Sequence, residues 1–243
     1  MLDAITALTR GTRLAYSPGL RRYVFAPIVV NLLVYGAMLR YVLANFGGWL
    51  DGWMALVPGW LAWLEWLIWP LFMISLVVIV LFTFTLLTHL IAAPFYGFLA
   101  AKVEVVATGR PPLDDRSFMK TAVDALGREL VKLAYIAPRA LLLLVVSWIP
   151  GLNLIAPLLW ALFSAWVMAI AYLDYPMDNN MVGFADMRRR LAARWWQSLT
   201  FGGCVTLVTW IPLANLFLLP GAVSAGVLMW DRHYRDLGAP AAR

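Results

Sequence analysis

A short polar segment near the start of the chain carries the residues best suited to binding chemistry. It reads Ser17-Pro18-Gly19-Leu20-Arg21-Arg22 and stands directly before a long apolar run. A proline-glycine turn before a helix leaves main-chain N–H groups free, and the positive end of the helix dipole lies there. Two arginines add charge and directed donors that match a tetrahedral oxyanion. The segment predicts an oxyanion site, although an arginine pair that only sets membrane topology would give the same pattern.

A repeated motif late in the chain interrupts two other apolar runs. Its copies are Trp148-Ile149-Pro150-Gly151-Leu152-Asn153-Leu154 and Trp210-Ile211-Pro212-Leu213-Ala214-Asn215-Leu216. A proline within a helix removes a donor and clashes with the preceding turn, so each copy predicts a helix break. The matched asparagines, Asn153 and Asn215, can cap main-chain groups freed at the break or line a polar pathway, and both interpretations stay open.

Other ionisable residues are few. His89 stands in an apolar run, where an ionisable group is a candidate for function or a neutral histidine bonded to a neighbouring helix. Glu104 follows that run. Asp174 and Asp178, with two asparagines, suit either a cation or headgroup site or a polar helix cap. The chain lacks the common hydrolase and nucleotide-binding motifs and has only two histidines, so we expect no enzyme, no cofactor and no metal centre.

Composition identifies the medium that must hold these residues. The chain is 63% hydrophobic and 13% charged, with a mean hydropathy of +0.79, whereas soluble domains carry about 25% charged residues. We therefore expect an integral membrane protein that contacts lipid along most of its length. The net charge of +6 reflects basic cytoplasmic segments rather than nucleic-acid binding.

The distribution of basic residues predicts the topology. No lysine or arginine occurs from residue 41 to residue 101, whereas basic residues are frequent on either side of this range. The positive-inside rule then places only the connection near residues 46–66 outside. This predicts two transmembrane helices, at residues 23–46 and 67–101.

The interrupted apolar runs fit this topology only as re-entrant elements. Basic segments flank both runs, and the arms around Pro212 are too short to cross a hydrocarbon core of about 30 Å. We expect helical hairpins at residues 133–172 and 199–230 that enter from the cytoplasm and return to it. Amphipathic cytoplasmic helices are predicted at residues 114–132 and 184–197. The whole chain, residues 1–243, is predicted to be a single membrane domain.

Several segments, in this order, resemble the CysZ sulfate permeases of bacteria. The resemblance covers about residues 9–235 and is carried by Pro18-Gly19-Leu20-Arg21-Arg22 with Pro27 and Asn31, Ala92-Ala93-Pro94-Phe95 with Gly97, Ile149-Pro150-Gly151, Phe163-Ser164-Ala165-Trp166, Asp174-Tyr175-Pro176 with Asp178-Asn179, and Ile211-Pro212 with Asn215-Leu216-Phe217. It implies a multi-pass protein of the bacterial inner membrane that imports sulfate for cysteine synthesis. It also implies an all-α fold with two long transmembrane helices and two hemi-penetrating hairpins.

The resemblance further implies which residues act. Sulfate would bind at Gly19, Leu20, Arg21 and Arg22, and the protein would form a homo-oligomer. This chain has Tyr96 and Ala101 where members of the family often have asparagine and an acidic residue, which leaves Glu104 as the matched acid. The expected pathway residues are Asn31, His89, Glu104, Asn153 and Asn215. A membrane assembly factor or lipid-binding protein that transports nothing is the alternative.

Overall fold

The chain folds entirely into helices in the regions that the structure describes. A computed structural model describes residues 2–54, 59, 65–113, 118–211 and 214–237. Long apolar segments without internal turn signals favour helices, because a helix satisfies its own main-chain hydrogen bonds in lipid. The helices are α1 (Leu2–Ala15), α2 (Arg21–Met54), α3 (Glu65–Thr108), α4 (Phe118–Ser147), α5 (Ala156–Asn179), α6 (Phe184–Ala193), α7 (Trp195–Thr209) and α8 (Ala214–His233), with a 3₁₀ turn at Leu152–Leu154.

Two compact units make up the chain. One contains residues 26–92, and the other contains residues 1–25 and 93–243. Within the first unit large apolar side chains are exposed, among them Leu32 at 72% and Leu71 at 62%. Apolar residues exposed around a helix are typical of contact with lipid.

The core of the unit formed by residues 1–25 and 93–243 depends on very close helix packing. Phe201, Leu173 and Val227 are fully buried in its core. Glycines lie where the main chains of two helices come closest. A Cβ added at Gly202 on α7 would overlap the carbonyl of Ala165 on α5, and one added at Gly226 on α8 would overlap the carbonyl of Tyr172 on α5. Small residues at such crossings let helices approach closely, which is how membrane helices gain packing energy without a hydrophobic driving force.

The predicted helix break at Pro150 is present. Helix α4 ends at Ser147 and α5 begins at Ala156, while Gly151 has φ +87°, in the left-handed region. The second break falls between Thr209 and Ala214, and Pro212 itself lies outside the described residues. Part of the connection predicted to face outward, around residues 46–66, also lies outside them.

Two predicted helix boundaries were wrong. The surface helix expected at residues 114–132 is continuous from Phe118 with the apolar segment that follows it, up to Ser147, because neither Gly127 nor Pro138 interrupts α4. The second surface helix, expected at 184–197, ends at Ala193, and α7 begins at Trp195. Residues 114–117 lie outside the described part of the chain.

Within the part of the chain that the structure describes, four stretches are long and apolar enough to cross a membrane: Arg21–Trp49, Ile91–Thr108, Val123–Ser147 and Ala156–Asn179. Neither arm of the second interrupted run is among them, and α7 has only 15 residues. At a rise of 1.5 Å per residue α7 is about 22 Å long, whereas Ile91–Thr108, the shortest of the four stretches with 18 residues, is about 27 Å long. Length therefore separates α7 from the four candidate spans, but it does not separate α8, which has 20 residues.

Candidate functional site

The predicted oxyanion segment forms the turn between α1 and α2, which we call the 17–22 turn. Gly19 has φ +90°, a conformation that side chains with a Cβ rarely adopt. The amides of Leu20 and Arg21 both donate to the carbonyl oxygen of Ser17, at 3.1 and 3.2 Å. Two N–H groups that the sequence suggested as free donors are therefore used within the turn itself.

The side chains of the turn divide between the core and the surface. Leu20 is 5% exposed and packs into the core with Val24, which fixes the turn in place. Both arginines are exposed. The Arg22 guanidinium lies 5.0 Å from the centre of the Tyr23 ring and donates to the Tyr23 hydroxyl at 3.2 Å. Among the described residues Arg21 has no ion-pair partner, so its donors are available to an anion.

Helix α1 positions this turn by packing antiparallel to α8. At one end Asp3 pairs with Arg232 at 2.7 Å. Further along, a Cβ added at Gly11 would lie 2.6 Å from the carbonyl oxygen of Gly221. Since α1 continues to Ala15 in the same direction, the 17–22 turn follows toward the first residues of α8. That end of α8 adjoins the second helix break.

Glu104 belongs to a separate, buried cluster. Its side chain is fully buried, and its two carboxylate oxygens accept from Nδ2 of Asn180 at 3.0 and 2.9 Å. Arg235 forms an ion pair with the same carboxylate. Because 131 residues separate Glu104 from Arg235, no local sequence signal indicated this pair.

The acidic cluster on α5 is also neutralised internally. The Asp174 carboxylate contacts Arg128 at 2.7 Å and Lys132 at 3.1 Å, and Asp178 contacts Arg128 at 2.9 Å. Asn179 donates to the carbonyl oxygen of Gly97 at 2.8 Å. These contacts join α3, α4 and α5, so the carboxylates act in helix packing. Arg128 and Lys132 were expected on a cytoplasmic surface helix at residues 114–132, so the sequence did not indicate that they contact α5.

The remaining predicted residues do not gather around the turn. Asn153 is exposed in the 3₁₀ turn at the first break, where its main-chain N–H donates to the carbonyl oxygen of Ile149 at 3.1 Å. In the unit of residues 26–92, Oδ1 of Asn31 is buried and has no hydrogen-bond partner among the described residues. The side chains of His89 and Asn215 lie outside the described part of the structure. Within the described residues no hydrogen bond or ion pair connects the turn with Glu104 or Asn153.

Comparison with known proteins gives a single family over most of the chain. The family described as "Sulfate transporter CysZ/Etoposide-induced protein 2.4" matches residues 7–220. A Pseudomonas aeruginosa PAO1 protein named Sulfate transporter CysZ is 44% identical over 228 residues, which are 93% of this chain and 93% of the relative. Proteins of the same name from Pseudomonas fluorescens SBW25 and Vibrio atlanticus LGP32 are 47% and 38% identical, over 96% and 93% of this chain and 92% and 91% of their own.

Proposed function

Because this chain belongs to the Sulfate transporter CysZ/Etoposide-induced protein 2.4 family, we propose that it is a sulfate permease of the bacterial inner membrane. The family assignment confirms the resemblance found in the sequence. The observation that carries the function is the match at 44% identity, over 93% of both chains, to a protein named as a sulfate transporter. Among the described residues, four helices are long and apolar enough to cross a membrane, which agrees with a multi-pass membrane protein.

We propose that two pairs of helices form the re-entrant hairpins, α4 with α5 and α7 with α8. The whole chain, residues 1–243, then forms a single membrane domain, and its full crossings lie at residues 23–46 and 67–101. Arg139 supports this for the first hairpin. It is exposed on α4 and stacks on the Tyr135 ring at 3.7 Å. Beyond it the uncharged part of the arm, residues 140–149, measures about 15 Å, half of the hydrocarbon core. A charge that reaches the headgroups from this position leaves the tip inside the bilayer.

Both proposed tips carry exposed apolar side chains. Trp148 is 82% exposed beside the first break and Trp210 is 81% exposed beside the second. Leu154, in the first tip, is also 82% exposed. Such side chains would be costly in water but are favourable in lipid. Their exposure supports tips that lie within the membrane.

We further propose that sulfate binds at Gly19, Leu20, Arg21 and Arg22. The turn is held by the buried Leu20, its backbone requires the left-handed conformation of Gly19, and Arg21 has free donors. Guanidinium groups bind tetrahedral oxyanions through two parallel hydrogen bonds. The antiparallel packing of α1 on α8 directs the turn toward the first residues of α8, next to the second helix break.

The proposed pathway residues differ in their support. Asn31 has the strongest, because its buried Oδ1 has no partner among the described residues and can accept a hydrogen bond from a water that accompanies the anion. Asn153 is exposed at a tip. Glu104 has the weakest support, because Asn180 and Arg235 already occupy its oxygens. His89 and Asn215 are proposed on sequence alone, as is assembly into a homo-oligomer.

Sulfate flux into proteoliposomes tests the function and the site together. We expect the native chain to carry flux and the double variant Arg21→Ala with Arg22→Ala to lose at least about tenfold, since two charge-assisted contacts are removed. The matched control is the double variant Arg13→Ala with Arg189→Ala, because both residues are exposed and lie outside the turn. Its net charge equals that of the test variant. Native flux in the test variant would remove the assigned site. No flux in the native chain would favour a membrane assembly or lipid-binding protein instead.

A further inference from the structure

A polar cavity opens at the end of α1 and α8 that is farthest from the 17–22 turn. It has a volume of about 280 Å³. Its polar lining comes from the first turns of α1, the last turn of α3 and the last turns of α8: Asp3, Thr6, Arg10, Thr108, Asp231 and Arg232. The proposed function assigns nothing to this cavity. A volume of this size admits a molecule of amino-acid dimensions with water.

The charges around the cavity cancel. Asp3 pairs with Arg232 at 2.7 Å, and Asp231 pairs with Arg235 at 2.9 Å. Arg235 also bonds the buried Glu104 carboxylate, so three carboxylates and two arginines are already joined. Arg10 supplies the third positive charge, and among the described residues it has no ion-pair partner. A cavity with both signs at its wall and no net charge does not favour a simple anion or a simple cation.

We propose that this cavity binds a small zwitterion that carries a primary ammonium and an anionic group. The anionic group bonds the guanidinium of Arg10, and the ammonium bonds Oδ2 of Asp3 and Oδ2 of Asp231, since the ion pairs with Arg232 and Arg235 are made through the Oδ1 atoms. The carbonyl end of α3, at Thr108, adds negative potential beside the ammonium. A free α-amino acid and the ethanolamine phosphate headgroup of a lipid share this chemistry.

The site is independent of the sulfate turn. The cavity lies beside Asp3 and Arg10, whereas the turn follows Ala15 at the other end of α1. Sulfate, a dianion, would bring its charge against Asp3 and Asp231 without an ammonium to offset it. We therefore expect that sulfate does not displace the zwitterion. An experiment that disproves one of the two sites does not disprove the other.

Calorimetric titration of the purified full-length chain in detergent tests the proposal. The probes are L-alanine and glycerophosphoethanolamine, with N-acetyl-L-alanine as the anion-only analogue and L-alanine methyl ester as the cation-only analogue. We expect at least one zwitterion to bind at least tenfold more tightly than either analogue. Arg10→Ala should weaken that binding at least tenfold. Arg10→Lys should keep most of it, because the positive charge remains.

Arg13→Ala is the matched control, since Arg13 is also exposed on α1 and does not line the cavity. Binding of L-alanine alone would identify a free amino acid as the ligand, and binding of glycerophosphoethanolamine alone would identify a lipid headgroup. The proposal is overturned if neither zwitterion binds or if N-acetyl-L-alanine binds as tightly as L-alanine. An equal loss in Arg10→Ala and Arg13→Ala would overturn it too.

Discussion

The two partners of the Glu104–Arg235 pair should respond very differently to mutation. Glu104 is fully buried and depends on Asn180 and Arg235 for all its side-chain contacts. Arg235 is 18% exposed and has a second ion-pair partner, the Asp231 carboxylate at 2.9 Å. Removing the arginine therefore leaves a buried charge with one amide donor. Removing the charge on Glu104 leaves an arginine that still has an ion pair.

The contacts that each variant removes give the expected loss in the free energy of unfolding. Breaking a buried ion pair by removing one partner costs about 3–5 kcal/mol when the other charge stays uncompensated. We expect a loss of this size for Arg235→Met. Glu104→Gln keeps a carbonyl oxygen for Asn180 or Arg235 and leaves Asp231 to neutralise the arginine, so its cost should be about 1–2 kcal/mol. Asp231→Asn removes only a partly exposed acceptor and should cost less than about 1 kcal/mol.

Thermal unfolding of the three purified variants in detergent measures the order, and sulfate flux in proteoliposomes measures the consequence for transport. We expect Arg235→Met to melt well below Glu104→Gln, with Asp231→Asn nearest to the native chain. Glu104→Gln should keep most of the native flux, because the carboxylate faces its partners. Equal losses for Glu104→Gln and Arg235→Met would refute the asymmetry. Loss of flux at native stability in Glu104→Gln would instead place Glu104 in the pathway.

Two further predictions concern packing and pH. Gly202→Ala should destabilise the fold by about 1–3 kcal/mol, because the new methyl overlaps the main chain of α5. At Gly203 the nearest atom to an added Cβ is 3.9 Å away, so Gly203→Ala should stabilise α7 by about 0.5–1 kcal/mol. Equal melting temperatures for the two variants would contradict this prediction. Burial lowers the pKa of His233 below its ordinary 6.5, with Asp3 opposing and two arginines adding to the shift. The folded state therefore resists protonation, so this residue's contribution to stability should be constant above about pH 6.5 and fall as the pH drops below it. His233→Gln should flatten that part of the melting profile, and an unchanged profile would contradict the assignment.

The sequence could predict the medium, the helical class and the first helix break, because each depends on local chemistry. Pro150 breaks its helix since Gly151 follows it and adopts φ +87°, a conformation that a helix cannot continue through. Pro138 and Pro176 lie inside α4 and α5 without ending them. A proline alone is thus a weak signal for a boundary, and a following glycine does not suffice either, because Pro220-Gly221 lies inside α8. The left-handed conformation of Gly151 distinguishes the break at Pro150.

The polar contacts could not be predicted, because they join residues far apart in the chain. Asp174 and Asp178 were visible as a cluster, but their partners on α4, Arg128 and Lys132, belong to a segment that predicts a surface helix, and Arg128 precedes Asp174 by 46 residues. The pair of Glu104 with Arg235 likewise links α3 to the segment after α8. Only the packing of helices determines which acid meets which base.

Helix α1 sets the distance between the proposed sulfate turn and the charged end of α8. The helix has 14 residues and is therefore about 21 Å long. Its first turn pairs with Arg232 at the end of α8, and because the two helices are antiparallel, the turn after Ala15 lies about one helix length from that pair. The proposed crossing at residues 23–46 begins directly after the turn, and the positive-inside rule assigns the arginines before it to the cytoplasmic side. At the start of a crossing, water and headgroups can reach an exposed Arg21, whose charge would be costly in hydrocarbon. The proposed sulfate site therefore requires no guanidinium buried in lipid.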